Sequence, residues 1–194
     1  VNDTATTNED TSVSGNVLTN DDLGTTPITS VTVVGAPSTG TLSSLDTATG
    51  AFVYMPRANY SGTDPFTYRD TDANGDLQDA TVTITIQGVN DAPQANGDSA
   101  TTVENQILII PTAGVLTNDT DADAGDTKTV IAVNGVSTSV GSQIVLASGA
   151  LLTLQSDGSY TYDPNNKFES LRLGQTATDT FTYTMADGAD AAFT

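Results

Sequence analysis

The sequence contains no cysteine, histidine or tryptophan, and only five of its 194 residues are basic. Without cysteine the chain has neither disulfides nor thiolate metal sites. Without histidine it lacks the usual general base and the usual zinc ligand. The formal net charge of −19 argues against binding to nucleic acid or to anionic membranes, since both require basic residues. No hydrophobic run reaches the length of a membrane span.

The acidic residues are strongly biased toward aspartate: only three of the 24, Glu9, Glu104 and Glu169, are glutamate. A surface that was acidic merely for solubility would mix the two residue types more evenly. Aspartate favours turns, and its short side chain suits compact oxygen cages around hard cations. The bias therefore indicates acid-rich loops that can bind a divalent cation.

The chain carries two copies of one pattern, which makes it an array of similar domains rather than one compact body. Val17-Leu18-Thr19-Asn20-Asp21 returns unchanged at 115–119, and Asp64-Pro65-Phe66-Thr67-Tyr68 returns at 179–183 with Thr in place of Pro. Two domains of about 100 residues are each large enough for a separate core. We predict a first domain at 1–88, an acidic linker at 89–97 and a second domain at 98–194.

Apolar residues alternate at a period of two, and helix signals are nearly missing. The clearest stretch is Thr81-Val82-Thr83-Ile84-Thr85-Ile86, and Gly and Asn clusters interrupt such stretches at short intervals. This pattern predicts an all-β fold of two tandem seven-stranded Greek-key β-sandwiches. In the first copy the predicted strands, lettered A to G, lie near 3–7, 12–18, 28–34, 40–45, 51–55, 65–69 and 79–87. The predicted core consists of Phe52, Tyr54, Phe66, Tyr68, Val82, Ile84 and Ile86.

The second copy repeats this plan with insertions and an incomplete end. Its extra residues lie near 107–112 and mostly between 120 and 178, because the offset between matched residues grows along the chain. The sequence reaches only part-way into the last strand of this copy, so we expect an open sheet edge there. We also expect the chain to be an excerpt from a longer protein.

Strand order predicts where the acidic loops meet. Seven antiparallel strands are an odd number, so each domain has its termini at opposite poles. The A–B turn and E–F corner of the first copy then point toward the second domain, whose B–C and F–G loops point back. The predicted metal ligands at this junction are Glu9, Asp64, Asn90, Asp91, Asp119, Asp121, Asp123, Asp126 and Asp187. So many anions repel one another unless a cation neutralises them.

Calcium is the ion that this ligand set fits best. Ca²⁺ takes roughly 6–8 oxygen ligands at flexible geometry, whereas Mg²⁺ demands a tighter octahedron. The spacing of Asp119, Asp121 and Asp123 places alternate side chains on one side of an extended loop. The alternative is that these residues only cap turns and keep the loops soluble.

Two incomplete sites are predicted at the outer ends, to be completed by neighbouring repeats. Asp70 and Asp72 count among the predicted calcium ligands. They begin a stretch, 70–76, that resembles part of an EF-hand loop, although Thr81 stands where the bidentate Glu of that loop belongs. The acids at the free pole of the first copy are Asp21, Asp22, Asp70, Asp72 and Asp76, and those at the far pole of the second are Glu104 and Asp179.

The motifs resemble two related kinds of bacterial repeat. Gly158-Ser159-Tyr160-Thr161-Tyr162-Asp163-Pro164 and Asp179-Thr180-Phe181-Thr182-Tyr183 resemble the VCBS repeat of large secreted adhesins. Asn8-Glu9-Asp10-Thr11 and Val89-Asn90-Asp91-Ala92-Pro93 make the first copy similar to the bacterial cadherin-like repeat. The resemblance implies Ig/cadherin-like sandwiches, calcium at the joints, and a secreted or bacterial cell-surface location. Many such proteins are RTX adhesins, associated with biofilms and exported by type I secretion.

The predicted function is non-catalytic: a calcium-rigidified spacer that projects the ligand-binding tip of an adhesin. An enzyme is disfavoured because the lack of His and Cys leaves only carboxylate chemistry. The expected partners are neighbouring repeats of the same polypeptide in a monomeric protein, with cell-surface or glycan ligands bound through other domains. The alternative is an adhesion module that itself binds a glycan or a protein in a calcium-dependent manner.

Overall fold

The computed structural model describes residues 1–21 and 26–188 and divides into two units, Val1–Val89 and Asn90–Thr194. The described part of the first unit contains seven strands, and each overlaps a strand predicted from the sequence. They are β1 (Asp3–Asn8), β2 (Val13–Asn16), β3 (Ile28–Gly35), β4 (Thr41–Leu45), β5 (Ala51–Met55), β6 (Gly62–Asp72) and β7 (Leu77–Gln87).

The strands of the first unit form two sheets, in the orders β1-β7-β6-β3 and β2-β5-β4. All pairs are antiparallel except β1 with β7, which run parallel from Asp3 opposite Val82 to Asn8 opposite Gln87. This parallel pair is what an odd number of strands requires, because β1 and β7 then run in the same direction. The first unit therefore has its termini at opposite poles, as predicted.

The core of the first unit lies between its two sheets. All seven predicted core residues are at most 3 % exposed, and the rings of Phe52 on β5 and Phe66 on β6 meet edge-on at 5.4 Å. Full burial of one such side chain contributes about 1.5–3 kcal/mol. The period-two pattern thus identified the inward face of each strand correctly.

The described part of the second unit contains six strands and two short 3₁₀ turns, Gly114–Leu116 and Ser137–Ser139. The strands are β8 (Leu108–Ile110), β9 (Thr129–Val133), β10 (Gln143–Val145), β11 (Leu151–Leu154), β12 (Tyr160–Asp163) and β13 (Tyr183–Ala186). They form sheets in the orders β10-β11-β12-β8 and β13-β9. The buried core includes Val115, Val130, Leu152, Leu154 and Tyr160. No helix in the described residues is long and apolar enough to cross a membrane.

The second unit departs from the predicted plan at its first strand. The segment 98–102 matches β1 in sequence but forms no strand. In the first unit β1 pairs within its sheet only with β7, and the counterpart of β7 lies outside the described residues. The predicted incomplete last strand likewise falls on residues 189–194, outside the described part of the chain.

Candidate calcium-binding loops

Asp119 anchors the acidic loop of the second unit and uses both of its carboxylate oxygens to do so. Its side chain is 4 % exposed: Oδ1 accepts a hydrogen bond from the Asn96 backbone N–H at 2.7 Å, and Oδ2 accepts one from the Tyr183 hydroxyl at 2.9 Å. The Lys128 ammonium donates to the Asp119 carbonyl at 2.6 Å. Asp119 therefore fixes where the loop begins.

The residues that follow join this loop to the segment predicted as the linker. Asp121 Oδ1 accepts a hydrogen bond from the Asp123 N–H at 2.9 Å, and Asp123 Oδ2 accepts one from the Asp91 N–H at 2.7 Å. The Asn90 side-chain amide donates to Asp187 Oδ2 at 3.2 Å, and Asp187 is 4 % exposed. Five predicted ligands on three segments of the second unit are thus brought together.

Backbone pairing fixes the same arrangement without any carboxylate. Gln94 and Thr120 exchange two hydrogen bonds, at 2.8 and 3.1 Å, so the segment after Pro93 runs beside the acidic loop. A reciprocal pair of this kind sets both the spacing and the register of two segments. The approach of Asn90 and Asp91 to Asp123 and Asp187 is therefore built into the backbone.

The carboxylates of this cluster repel one another. Desolvation, together with the nearby charges of Asp123, Asp187 and Asp121, raises the pKa of the exposed Asp126 above its ordinary value. One oxygen of Asp121, Oδ2, is buried and has no hydrogen-bond partner among the residues that the structure describes. A buried anionic oxygen without a donor is unfavourable, and a cation would remove that cost.

The donor set fits a hard cation, although the described residues do not gather three carboxylates at metal-ligand distance. Every side chain in the cluster offers oxygen alone, apart from the Asn90 amide nitrogen, which suits Ca²⁺ and excludes a thiolate or imidazole metal. Several oxygens instead accept backbone N–H groups. A calcium ion would require Asp121 and Asp123 to turn from those groups toward the ion.

The two junction ligands predicted from the first unit, Glu9 and Asp64, have very different surroundings. Glu9 is 6 % exposed, and its Oε1 accepts a hydrogen bond from the Val89 N–H at 2.6 Å, which ties the turn after β1 to the end of β7. Glu9 is therefore placed at the pole where the sequence predicts it. Whether it binds calcium stays a prediction.

Asp64, in contrast, is fully buried and accepts five hydrogen bonds. Its Oδ1 accepts the backbone N–H and hydroxyl of Ser38 at 2.7 and 3.0 Å. Its Oδ2 accepts the N–H groups of Thr39 and Gly40 and the hydroxyl of Tyr54, at 3.1, 2.7 and 2.7 Å. These donors satisfy the carboxylate in the absence of a metal, and whether Asp64 also binds calcium stays a prediction.

The hydrogen bonds to Asp64 lower its pKa by more than burial raises it. Burial alone would raise the pKa of this carboxyl group, but donation by Tyr54, Gly40 and Ser38 holds it well below its ordinary value. Burial and the facing carboxylate raise the pKa of the Tyr54 hydroxyl in turn. Asp64 therefore remains ionised and clamps the turn between β3 and β4 onto the sandwich.

At the opposite pole of the first unit, the Tyr68 hydroxyl is surrounded by acceptors. It lies 2.8 Å from Asp3 Oδ2, 2.7 Å from Asp21 Oδ2 and 3.1 Å from the Val17 carbonyl. The second unit repeats the arrangement: the Tyr183 hydroxyl lies 2.9 Å from Asp119 Oδ2, 3.3 Å from Asp98 Oδ2 and 3.0 Å from the Val115 carbonyl. The alternating pattern predicted Tyr68 only as a core residue. The signal that it missed is that Asp3, Asp21 and Tyr68 all recur in the second copy, as Asp98, Asp119 and Tyr183. We call each tyrosine with its two aspartates a tyrosine hub.

Asp70 and Asp72 at this pole have separate surroundings. Asp72 Oδ1 accepts the N–H groups of Asn74 and Asp76, each at 2.8 Å, so it caps the turn between β6 and β7. Asp70 is fully buried, and burial together with the adjacent Asp21 raises its pKa to about 7. Asp22, also predicted here, lies outside the described residues.

The far pole of the second unit carries a partly exposed counterpart of the Asp64 clamp. Asp179 Oδ2 accepts hydrogen bonds from the Ser148 hydroxyl and, at 3.2 Å, from the Tyr162 hydroxyl. Burial and this carboxylate raise the pKa of Tyr162 to about 12. Asp179 therefore pairs with a tyrosine of β12 much as Asp64 pairs with Tyr54 of β5. Glu104 is half-buried in the turn before β8.

The family comparisons match each unit separately. The bacterial cadherin-like domain family matches residues 90–194, and the bacterial Ig domain family matches residues 1–85. The cadherin-like match therefore falls on the second copy, whereas the sequence motifs suggested it for the first. Neither match names a VCBS repeat or an RTX adhesin. No curated protein matches the chain.

Solved structures similar to the chain include two fragments of protocadherin gamma B2. Protocadherin gamma B2 extracellular cadherin domains 3–6 match with 15 % identity and a TM-score of 0.41, over 83 % of this chain and 36 % of that one. Domains 1–5 of the same protein match with 15 % identity and a TM-score of 0.37, over 69 % and 24 %. Murine CEACAM1b matches with 16 % identity and a TM-score of 0.30, over 82 % and 80 %. This chain spans well under half of the protocadherin chains.

The matching families indicate the general role of the chain. Bacterial cadherin-like and Ig domains are typical of extracellular, adhesion-type proteins and are typically non-enzymatic. The cadherin-like match covers more than half of the chain and includes the whole acidic cluster of the second unit. The chain therefore belongs to the bacterial cadherin-like domain family.

Proposed function

We propose that the chain is a calcium-rigidified spacer of a secreted or surface-bound bacterial adhesin. The observation that carries this proposal is the hydrogen bonding of Asn90 and Asp91 to Asp187 and Asp123. An ion bound by the acidic loops would act directly on the segment that enters the second unit. The proposal extends the adhesion-type role of the family to one mechanism, the stiffening of a linker.

The mechanism is electrostatic. Without a cation, Asp121, Asp123, Asp126 and Asp187 repel one another, and this repulsion adds to desolvation in raising the pKa of Asp126. A calcium ion supplies the compensating charge when bound, and the buried Asp121 Oδ2 gains a partner. The loops and the linker segment then share one ion, so the linker loses conformational freedom. Glu9 is the ligand that the sequence predicts from the first unit.

The remaining features of the proposal follow from the same residues. A net charge of −19 keeps such modules apart in solution, so we propose a monomer whose partners are neighbouring repeats of the same polypeptide. Extracellular modules commonly bind calcium at about 10⁻⁴–10⁻³ M, which matches the supply outside cells. We propose that the whole protein is of the RTX adhesin type and binds its ligand through other domains.

The test combines thermal unfolding with small-angle X-ray scattering, each in calcium and in EGTA. At a calcium concentration of about 100 times Kd, binding stabilises the folded state by about 2.7 kcal/mol, so the melting temperature of the second unit rises. In the scattering experiment, calcium should increase the maximum dimension of the chain. It should also narrow the range of conformations that fits the scattering curve. The double variant Asp121→Asn, Asp123→Asn should lose both responses.

The matched control is Glu169→Gln, which removes one negative charge from an exposed position away from the cluster. This variant should respond to calcium as the parent protein does. Equal melting curves and equal scattering of the parent protein in calcium and in EGTA would refute the spacer mechanism. A response that persists in the double variant would place the ion elsewhere.

A further inference from the structure

Two copies of one tetrapeptide, Ala-Asn-Gly-Asp, differ in how the fold holds them. Ala73-Asn74-Gly75-Asp76 forms the turn between β6 and β7, and Ala95-Asn96-Gly97-Asp98 lies near the start of the second unit. A third Asn-Gly pair, Asn134-Gly135, follows β9. Asparagine loses its side-chain amide most readily before glycine, which has no Cβ to obstruct attack by its backbone nitrogen. All three asparagines are exposed, so tertiary contacts decide which of them reacts.

The side chains of Asn96 and Asn134 are hydrogen-bonded to backbone groups of other segments. Asn96 Nδ2 donates to the Asn118 carbonyl at 2.9 Å, while the Asn96 backbone N–H donates to Asp119 Oδ1 at 2.7 Å. Asn134 Oδ1 accepts the Thr182 backbone N–H at 2.8 Å. Each side chain must therefore leave a partner in a neighbouring segment before its carbonyl carbon can meet the nitrogen of the following glycine.

The side chain of Asn74 is held more weakly. Its Nδ2 donates to the Thr26 hydroxyl at 3.2 Å, which is a longer bond to a rotatable group. The other bonds lie within the turn: the N–H groups of Asn74 and Asp76 donate to Asp72 Oδ1, and the Gly75 N–H donates to the Asp72 carbonyl at 3.1 Å. A Cβ built on Gly75 would meet nothing among the described residues within 4 Å. The Asn74 side chain can therefore swing toward the Gly75 nitrogen without displacing either strand.

We propose that Asn74 is a site of spontaneous deamidation in the folded chain and reacts faster than Asn96 and Asn134. The Gly75 nitrogen attacks Asn74 Cγ, so that the N–Cγ bond forms, the Cγ–Nδ2 bond breaks, and the Gly75 amide proton leaves with ammonia. Water then opens the cyclic imide at either carbonyl and yields aspartate or isoaspartate. The reaction consumes only water, and it uses no residue of the spacer mechanism.

Deamidation would change this turn in two ways. It places a new negative charge between Asp72 and Asp76, and like charges at short range destabilise a folded structure. In the isoaspartate form the main chain runs through an additional methylene group, which displaces the Asp76 N–H from Asp72 Oδ1. Asp72 is 5 % exposed, so the loss of a donor leaves its carboxylate less well compensated. The end of the β6–β7 pair should therefore loosen as the protein ages.

The test is an incubation of the full chain in mildly alkaline buffer, followed by tandem mass spectrometry of its peptides. Each asparagine that reacts acquires the mass of an acid, and fragmentation distinguishes Asn74 from Asn96. Because Asn96 and Asn134 must first release a hydrogen bond to a backbone group, Asn74 should react about tenfold faster than either. In urea the two identical tetrapeptides should react at the same rate. Labelling by a protein isoaspartyl methyltransferase should show isoaspartate accumulating at Asn74.

Two variants of the full chain serve as controls. Asn74→Gln should remove the signal at this position, because the longer side chain closes a larger ring far more slowly. Thr26→Val keeps nearly the same shape but lacks the hydroxyl that binds Asn74 Nδ2, so the reaction at Asn74 should accelerate while that at Asn96 stays the same. If Asn74 reacts no faster than Asn96 in the folded chain, or if the same difference persists in urea, the proposal is wrong.

Discussion

The Asp64 clamp gives the sharpest prediction about stability. In Asp64→Asn, an amide replaces a carboxylate that accepts five hydrogen bonds, so its NH₂ group must face at least two donors. Each lost hydrogen bond to a charged group costs about 1.5–3 kcal/mol, so two of them cost about 3–6 kcal/mol. Domains of this size are stable by only about 5–15 kcal/mol, so the first unit should come close to unfolding.

Urea unfolding, followed by tyrosine fluorescence and circular dichroism, measures this effect. The counterpart variant Asp179→Asn is the control: its carboxylate is partly exposed and has fewer donors, so the second unit should lose much less stability. Because the folded-state pKa of Asp64 lies below its unfolded value, the clamp stabilises above the unfolded pKa of about 3.9 and is lost as the pH falls. The difference between parent and Asp64→Asn should therefore shrink below about pH 4. A loss under about 1 kcal/mol at neutral pH would refute the reasoning, since that is within the range of an ordinary substitution.

Two further substitutions test packing and the tyrosine hub. Gly40→Ala would place a Cβ 2.2 Å from the Tyr54 hydroxyl and 2.6 Å from the Met55 carbonyl. Urea unfolding should therefore show a loss of about 1–3 kcal/mol in the free energy of unfolding. Gly97→Ala, which has open space around it, should show no loss. Tyr183→Phe removes the hydroxyl that serves Asp119 and the Val115 carbonyl, so the second unit should lose about 1–3 kcal/mol in the same assay; an unchanged midpoint would mean that the hub is not stabilising.

The strands of the first unit were predictable because each strand carries its own signal. Alternation of apolar and polar residues is a local property, and it identified Val82, Ile84 and Ile86 as inward-facing without knowledge of their partners. The second unit was less predictable, since the segment 98–102 has the sequence of a strand but needs a partner of the β7 type. Strand formation there depends on pairing, which the local pattern does not contain.

The acidic residues also divide into those whose positions were predictable from the sequence and those whose roles were not. The alternating direction of the strands correctly predicted that the loop of Asp119–Asp123 and the loop of Asp187 lie together within the second unit. Topology alone determines the pole of each loop. The role of Asp64 was not foreseeable, because its donors come from a turn about 25 residues away and from Tyr54 on the other sheet. Whether a carboxylate faces outward or is enclosed by N–H groups depends on tertiary contacts of this kind.

The parallel pairing of β1 and β7 determines how the first unit would carry a pulling force. Tension enters at the start of β1 and leaves at the end of β7, in opposite directions along two neighbouring strands. The hydrogen bonds between these strands then lie across the direction of pull, so they are loaded together in shear rather than peeled apart one at a time. The six paired residues from Asp3 to Asn8 would bear this load together. For a module on which a tethered cell pulls, this strand pair is where the resistance to rupture would reside.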